Sequence, residues 1–248
     1  DLVWNALDPD NTAYLETADG AAVIMLNPDF APETVKRFKQ LLDEQFYRGL
    51  SFYRVIESFV AQGGDESDMD PDQIQKNLPA EFEIDWPQKP KDKDAAKDWV
   101  GMSWTLVQDD DLFAPFTGFI DGFPAARDNE EGGKAWLTHC PGTVAMARND
   151  DPDSGGTDFY IVIGQAPRYL DRNLTVFGRV VWGMDVVQRI KRGPALENGI
   201  IEEDLDRTWI KRMRLASSLD ENERLDIYMA DTNSKAFIKQ LKERRNRS

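Results

Sequence analysis

The side chains of this sequence that could do chemistry fall into three groups. Arg54 stands in the run Phe52-Tyr53-Arg54-Val55-Ile56, followed by Phe59-Val60-Ala61-Gln62-Gly63-Gly64-Asp65. A guanidinium keeps its charge and offers several hydrogen-bond donors, but a strand arginine taken alone is most often a surface or ion-pair residue. His139-Cys140, the second group, would suggest a thiol nucleophile. Neighbours on a strand point to opposite faces, and nucleophile–base pairs are assembled across a fold, so a structural role is the better reading. The third group is acidic. Asn149-Asp150-Asp151-Pro152-Asp153-Ser154-Gly155-Gly156 hints at a calcium loop, but with Asp151 first the fifth position is Gly155 and the twelfth is Val162, not glutamate. It reads as a solvated turn, and Asp109-Asp110-Asp111 as a run facing water. No metal and no cofactor is expected.

The elements that must position these residues can be read from periodicity. Tyr14–Thr17 and Ala22–Leu26 flank Ala18-Asp19-Gly20, and Asp-Gly between β-prone runs predicts a hairpin. A helix follows, with Pro32 in its first turn and Val35, Phe38, Leu41, Leu42 and Phe46 on one apolar face, and Gly49 as its stop. Strands are expected at Phe52–Ile56, Phe59–Gln62, Thr143–Ala147, Phe159–Ile163, Val176–Val181 and Thr208–Leu215. Alternation turns Phe159, Ile161 and Ile163 toward the core. It turns Asp158, Tyr160 and Val162 toward an outer surface, and puts Val60 and Gln62 on a shared face. Gly183–Ile190 reads as a short second helix. Ala236–Leu241 reads as a C-terminal helix whose basic last turns suit its dipole. Residues 66–138 are less regular but hold Trp86, Trp99, Trp104, Trp136 and five phenylalanines from Phe82 to Phe123. Linkers are poor in such residues, so this is an ordered insertion, with Lys89–Lys97 as a solvated loop.

Composition bounds the function. A length of 248 residues fits one large domain or two small ones, and 41% apolar content is enough for a real core. Thirty basic against 45 acidic residues give a net charge of −15, which argues against binding a nucleic-acid backbone. No apolar run approaches the ~20 residues of a membrane span. Cys140 is the single cysteine, so no intrachain disulfide forms. The chain starts at Asp1 without methionine, which fits a removed leader or a trimmed terminus.

Many short strands with two helices fit a barrel, and pattern alone leaves a sandwich open. The runs around Arg54, together with Gly142-Thr143-Val144-Ala145-Met146-Ala147-Arg148, Asp158–Ile163 and Val176-Phe177-Gly178-Arg179-Val180, resemble the cyclophilin family of peptidyl-prolyl cis-trans isomerases. The resemblance covers about 12–215 and implies a mainly β fold: an eight-stranded antiparallel β-barrel capped by two α-helices, with the substrate groove on its outer wall. The ordered insertion 66–138 interrupts it, and 216–248 form a C-terminal extension ending in a helix. The insertion, its Gly118–Pro124 stretch and the tail are similar to a secreted bacterial subgroup.

The chemistry implied is rotation about X-Pro bonds in proline-containing peptides and unfolded or partly folded proteins, assisting folding. The C–N bond has partial double-bond character, and rotation costs ~18–20 kcal/mol. A 10⁴-fold acceleration needs only about 5–6 kcal/mol of preferential transition-state binding. That requires a donor aimed at the prolyl nitrogen and an apolar pocket gripping the ring. By the resemblance, Arg54 is the catalytic arginine, and Gln62 binds substrate and steadies it. Phe59, Val60 and Tyr160 wall the proline pocket, and Leu170 lies at its edge. Ala147, Arg148 and Asn149 offer backbone to an extended peptide, as a spare strand edge would.

Four positions depart from the family pattern. Asp158 stands for a glutamine and puts an anion near Arg54, either pairing with it or drawing it from substrate. Leu174 stands for a histidine and removes a polar edge. Tyr169 stands for the tryptophan of cyclosporin-sensitive members, so weak or no cyclosporin binding is expected. Val60 stands for a longer methionine. Asp158, Leu174 and the insertion also fit a second reading, a catalytically weak or inactive binding module or chaperone. A periplasmic or secreted location follows from the subgroup, with the cytoplasm left open.

Overall fold

The computed structural model describes residues 1–66, 77–97 and 99–245, so the acidic start of the insertion, 67–76, lies outside the described residues. The chain divides into two compact units. One comprises Leu7–Phe82 and His139–Ile227; the other comprises Asp1–Ala6, Glu83–Thr138 and Tyr228–Ser248.

The larger unit is an antiparallel barrel. Its strand order is Thr208–Trp209, Ser51–Ile56, Val60–Gly64, Phe159–Val162, Thr143–Met146, Val176–Trp182, Gly20–Leu26, Thr12–Thr17 and Arg212–Leu215. The first and last of these are two halves of one extended stretch. Thr208 pairs with Phe52 at one edge, and Arg212–Leu215 pairs with Ala13–Glu16 at the other. Between them, Ile210 N–H donates to Leu50 O and Lys211 N–H to Glu16 O, so a single eighth strand closes the sheet. The N-terminal hairpin forms as expected, with Thr17 opposite Gly20 across a two-residue turn.

Helix Pro32–Asp43 lays Val35, Phe38, Leu41 and Leu42 into the barrel core. Its first free N–H groups lack a local cap. Glu81 supplies one from far along the chain, accepting from Glu33 N and Thr34 N, both at 2.9 Å. The helix ends before the expected stop: Gln45 takes the left-handed conformation (φ 55°), and Gly49 lies beyond in a turn. Phe46 is therefore outside the helix, half-buried against Tyr47. A short helix, Met184–Gln188, adds Val187 to the same core. Phe38, Tyr47, Phe52 and Phe159 meet edge-on or tilted with ring centroids 5.3–6.2 Å apart, favourable aromatic geometry at the barrel centre.

The aromatic-rich insertion forms a five-stranded sheet: Ile84–Asp85, Lys134–Leu137, Phe123–Arg127, Phe116–Ile120 and Trp104–Asp109. Buried Arg127 stacks over the Trp86 ring at 3.7 Å and lies near Trp104, which explains how this unit keeps a guanidinium inside. In the same unit Trp4–Ala6 pairs with Tyr228–Ala230, and helix Lys235–Arg245 sets Phe237 edge-on to Phe119. Lys89–Lys97 is exposed turn, apart from its half-buried Pro90 and Ala96.

Candidate active site

Strand register brings the two distant sequence runs together. Arg54 pairs with Gln62, Gln62 with Tyr160, and Tyr160 with Ala145. Residues directly opposite share a face, so the first three stand in one row across three adjacent strands. On this wall is a cavity of about 560 Å³ lined by Arg54, Phe59, Val60, Gln62, Ala147, Arg148, Tyr160, Tyr169, Leu170 and Leu174. These are ten of the sequence-selected residues. Tyr53, Glu66 and Ile200 also line it and were not among them.

Tyr53 and Arg54 are consecutive, so regular alternation would send them to opposite faces. The ladder shifts by one residue between Ser51 and Arg54, which leaves Phe52 and Val55 in the core and turns both Tyr53 and Arg54 to the cavity. A single-residue bulge has no signature in this run of strand formers. Ile200 enters through the 198–201 segment, which clasps the arginine's strand: Val55 N–H donates to Gly199 O and Ile201 N–H to Tyr53 O, both at 2.8 Å.

Arg54 is half-buried and doubly anchored. Its Nη1 donates to Gln62 Oε1 at 3.0 Å, and its Nε to Asn198 O at 3.2 Å. Gln62 Nε2 donates to the Tyr53 hydroxyl at 2.8 Å, and that hydroxyl donates to Asp158 Oδ2. Burial, then the Asp158 charge, pushes the Tyr53 phenol far above its ordinary range. Burial draws the Arg54 pKa down from its usual value.

Asp158 and Asn149 are not on the cavity wall. Asp158 is fully buried, and on the strand face expected to turn outward Asp158, Tyr160 and Val162 are all buried, with Tyr160 bordering the cavity. The carboxylate is not paired with Arg54; it is bound to Tyr53 and accepts from Thr157 Oγ1 at 3.2 Å. Gly64 makes room for it: at φ +133°, a Cβ there would overlap Asp158 Oδ1.

The spare edge is also narrower than the sequence suggests. Thr143–Met146 is paired on both sides, Ala147 N–H donates to Asp158 O, and Asn149 N–H to Ser154 Oγ. Arg148 braces the rim, donating to Asn149 O at 2.7 Å and to Asn173 Oδ1 at 2.8 Å. Tyr169 stands at that rim, 70% exposed.

Behind the wall, Tyr160 is held by the chain's single histidine. His139 Nε2 lies 2.7 Å from the Tyr160 hydroxyl, and Nδ1 lies 2.9 Å from Asp171 Oδ1. An Nδ1–H tautomer donates to Asp171 and accepts from Tyr160. Burial first, then Asp171, raises the Tyr160 pKa well above the phenol range. With both ring nitrogens so engaged, His139 is not a base for Cys140, in line with the structural role read from the sequence. Asp153 also has a structural use, accepting from Ala80 N–H at 2.7 Å.

Residues 12–213 match the family model for cyclophilin type peptidyl-prolyl cis-trans isomerase/CLD. A Brucella suis biovar 1 protein named "Probable peptidyl-prolyl cis-trans isomerase" is 34% identical over 198 residues, 80% of each chain. The human "Peptidyl-prolyl cis-trans isomerase-like 1" is 28% identical over 189 residues, covering 75% of this chain and 84% of that protein. The crystal structure of cyclophilin AquaCyp293 from Hirschia baltica superposes with a TM-score of 0.75 at 28% identity, covering 97% of this chain and 86% of that one.

Proposed function

The chain belongs to the cyclophilin-type peptidyl-prolyl cis-trans isomerase family, and from that premise we propose that Arg54 is the group through which it lowers the barrier to X-Pro rotation. One observation carries this assignment. Two of the five guanidinium hydrogens are spent on Gln62 and Asn198, which fixes the plane, and the side chain borders a cavity walled by Phe59, Val60, Tyr160 and Leu170. An apolar wall of this kind takes a proline ring. The remaining donors can reach the prolyl nitrogen, which becomes basic as amide conjugation breaks. Interactions that strengthen only in the twisted state raise the rate, and no covalent step is needed. Gln62 serves here as the support of Arg54, and the carbonyl groups past Met146 serve an extended peptide.

The substrates are unfolded or partly folded proteins passing through the periplasm or outside the cell. The likeness of the Gly118–Pro124 stretch and the tail to a secreted subgroup supports that location, and cell fractionation tests it. Tyr169 makes cyclosporin binding weak, and nanomolar affinity by calorimetry would count against that. A protease-coupled or NMR-exchange assay on an Ala-Pro peptide tests the main reading. Acceleration by wild type and its loss in Arg54→Ala are expected; an Arg54→Ala variant as fast as wild type would sink it. Persistent suppression of client aggregation in a wild type with no isomerase activity would favour a chaperone instead.

A further inference from the structure

We propose that Tyr53 and Asp158 are positioning residues for the isomerase reaction: together they set the direction of the hydrogen-bond chain that presents Arg54. The proposal rests on the assignment of Arg54 as the acting group.

The chain runs one way. Asp158 is an acceptor held in a site with no exposure, so the Tyr53 hydroxyl spends its single proton on it. The Tyr53 oxygen is then only an acceptor toward Gln62, and Gln62 must present Nε2 to it. Because a side-chain amide has one donor end and one acceptor end, this choice turns Oε1 toward Arg54 Nη1. A neutral group at 158 that donates to Tyr53 would release the hydroxyl proton. The hydroxyl could then donate to Gln62 Oε1, and the flipped amide would face the guanidinium with N–H against N–H.

The surroundings defend this direction. Tyr53 and Gln62 are both buried, so water competes poorly for the links. Gly64 leaves the carboxylate its space, and the bulge in strand Ser51–Ile56 is what lets Tyr53 stand beside Arg54. Asp158 thus reaches the reaction through two intervening side chains and touches no substrate.

The test compares steady-state isomerisation of an Ala-Pro peptide by wild type, Asp158→Asn, Tyr53→Phe, Gln62→Ala and the Asp158→Asn/Gln62→Ala double variant. Asp158→Asn and Tyr53→Phe should lower kcat about tenfold with KM within about twofold, since the apolar pocket is untouched. The double variant should be no slower than Gln62→Ala, because the effect passes through that amide. Folded single variants with wild-type kcat, or losses that multiply in the double variant, would overturn the proposal. Should the variants not fold, the amide direction is still readable in the wild type by NMR. Contacts from the Gln62 Nε2 protons to the Tyr53 ring are expected; finding those protons turned to Arg54 overturns it. A wild type inactive on the peptide would instead fail the assignment of Arg54, with the amide direction still decided by NMR.

Discussion

Replacing Arg54 by lysine separates the geometry of the cation from its charge. The guanidinium has five N–H hydrogens. The Gln62 Oε1 bond at 3.0 Å and the Asn198 O bond at 3.2 Å use two, leaving three for the cavity side. A lysine ammonium has three hydrogens on one atom and no plane to fix. If it keeps both anchors, one hydrogen remains for substrate, and it points where the anchors dictate. If it turns to the substrate, Gln62 Oε1 and Asn198 O lose their donor. Either way at least one hydrogen bond to a charged group is lost from the transition state, worth about 1.5–3 kcal/mol. That corresponds to roughly a 10–150-fold fall in kcat/KM. Protease-coupled turnover of an Ala-Pro peptide, with circular dichroism to show that the variant is folded, measures it. A folded Arg54→Lys enzyme within about threefold of wild type would refute the reasoning, because charge alone would then suffice.

Two further outcomes concern the frame. Gly64→Ala forces an L residue to φ +133° and sets its methyl against Asp158 Oδ1, so it should lower stability by more than the ~1–3 kcal/mol of backbone strain alone; urea unfolding measures this, and an unchanged midpoint would count against the crowding. Tyr53 and Tyr160 both have folded-state pKa values raised above the ordinary phenol value, so their contribution is complete below about pH 10 and is lost as pH rises through the folded values, because the unfolded chain releases its protons first. Unfolding free energy followed from about pH 8 to pH 11 should therefore fall at the alkaline end, and Tyr160→Phe should fall less steeply; equal slopes would contradict a buried phenol there.

The fold was legible where one side chain in two or in three to four faces the core. Phe159, Ile161 and Ile163 announce their strand, and Val35, Phe38, Leu41 and Leu42 their helix, and all seven lie in the barrel core. The cavity residues were legible through the resemblance of whole runs, not through any single spacing. What stayed hidden depends on contacts between distant segments. Glu81 caps a helix more than forty residues before it. The bulge before Arg54 reverses the face of Tyr53, which alternation would have assigned elsewhere. Asp158 lies off the cavity wall, and only the position of the Tyr53 hydroxyl shows what binds the anion. The pairing of Trp4–Ala6 with Tyr228–Ala230 joins the two ends of the chain through residues that carry no mutual pattern.

The closing strand also constrains the order of folding. Ala13 finds its partner in Leu215, so the first barrel strand made by a ribosome waits for the last. Until then the hairpin Thr12–Leu26 has an unpaired outer edge, and the sheet-forming insertion is synthesised during the wait. Such high contact order slows folding and leaves the open edge available for association with other nascent chains.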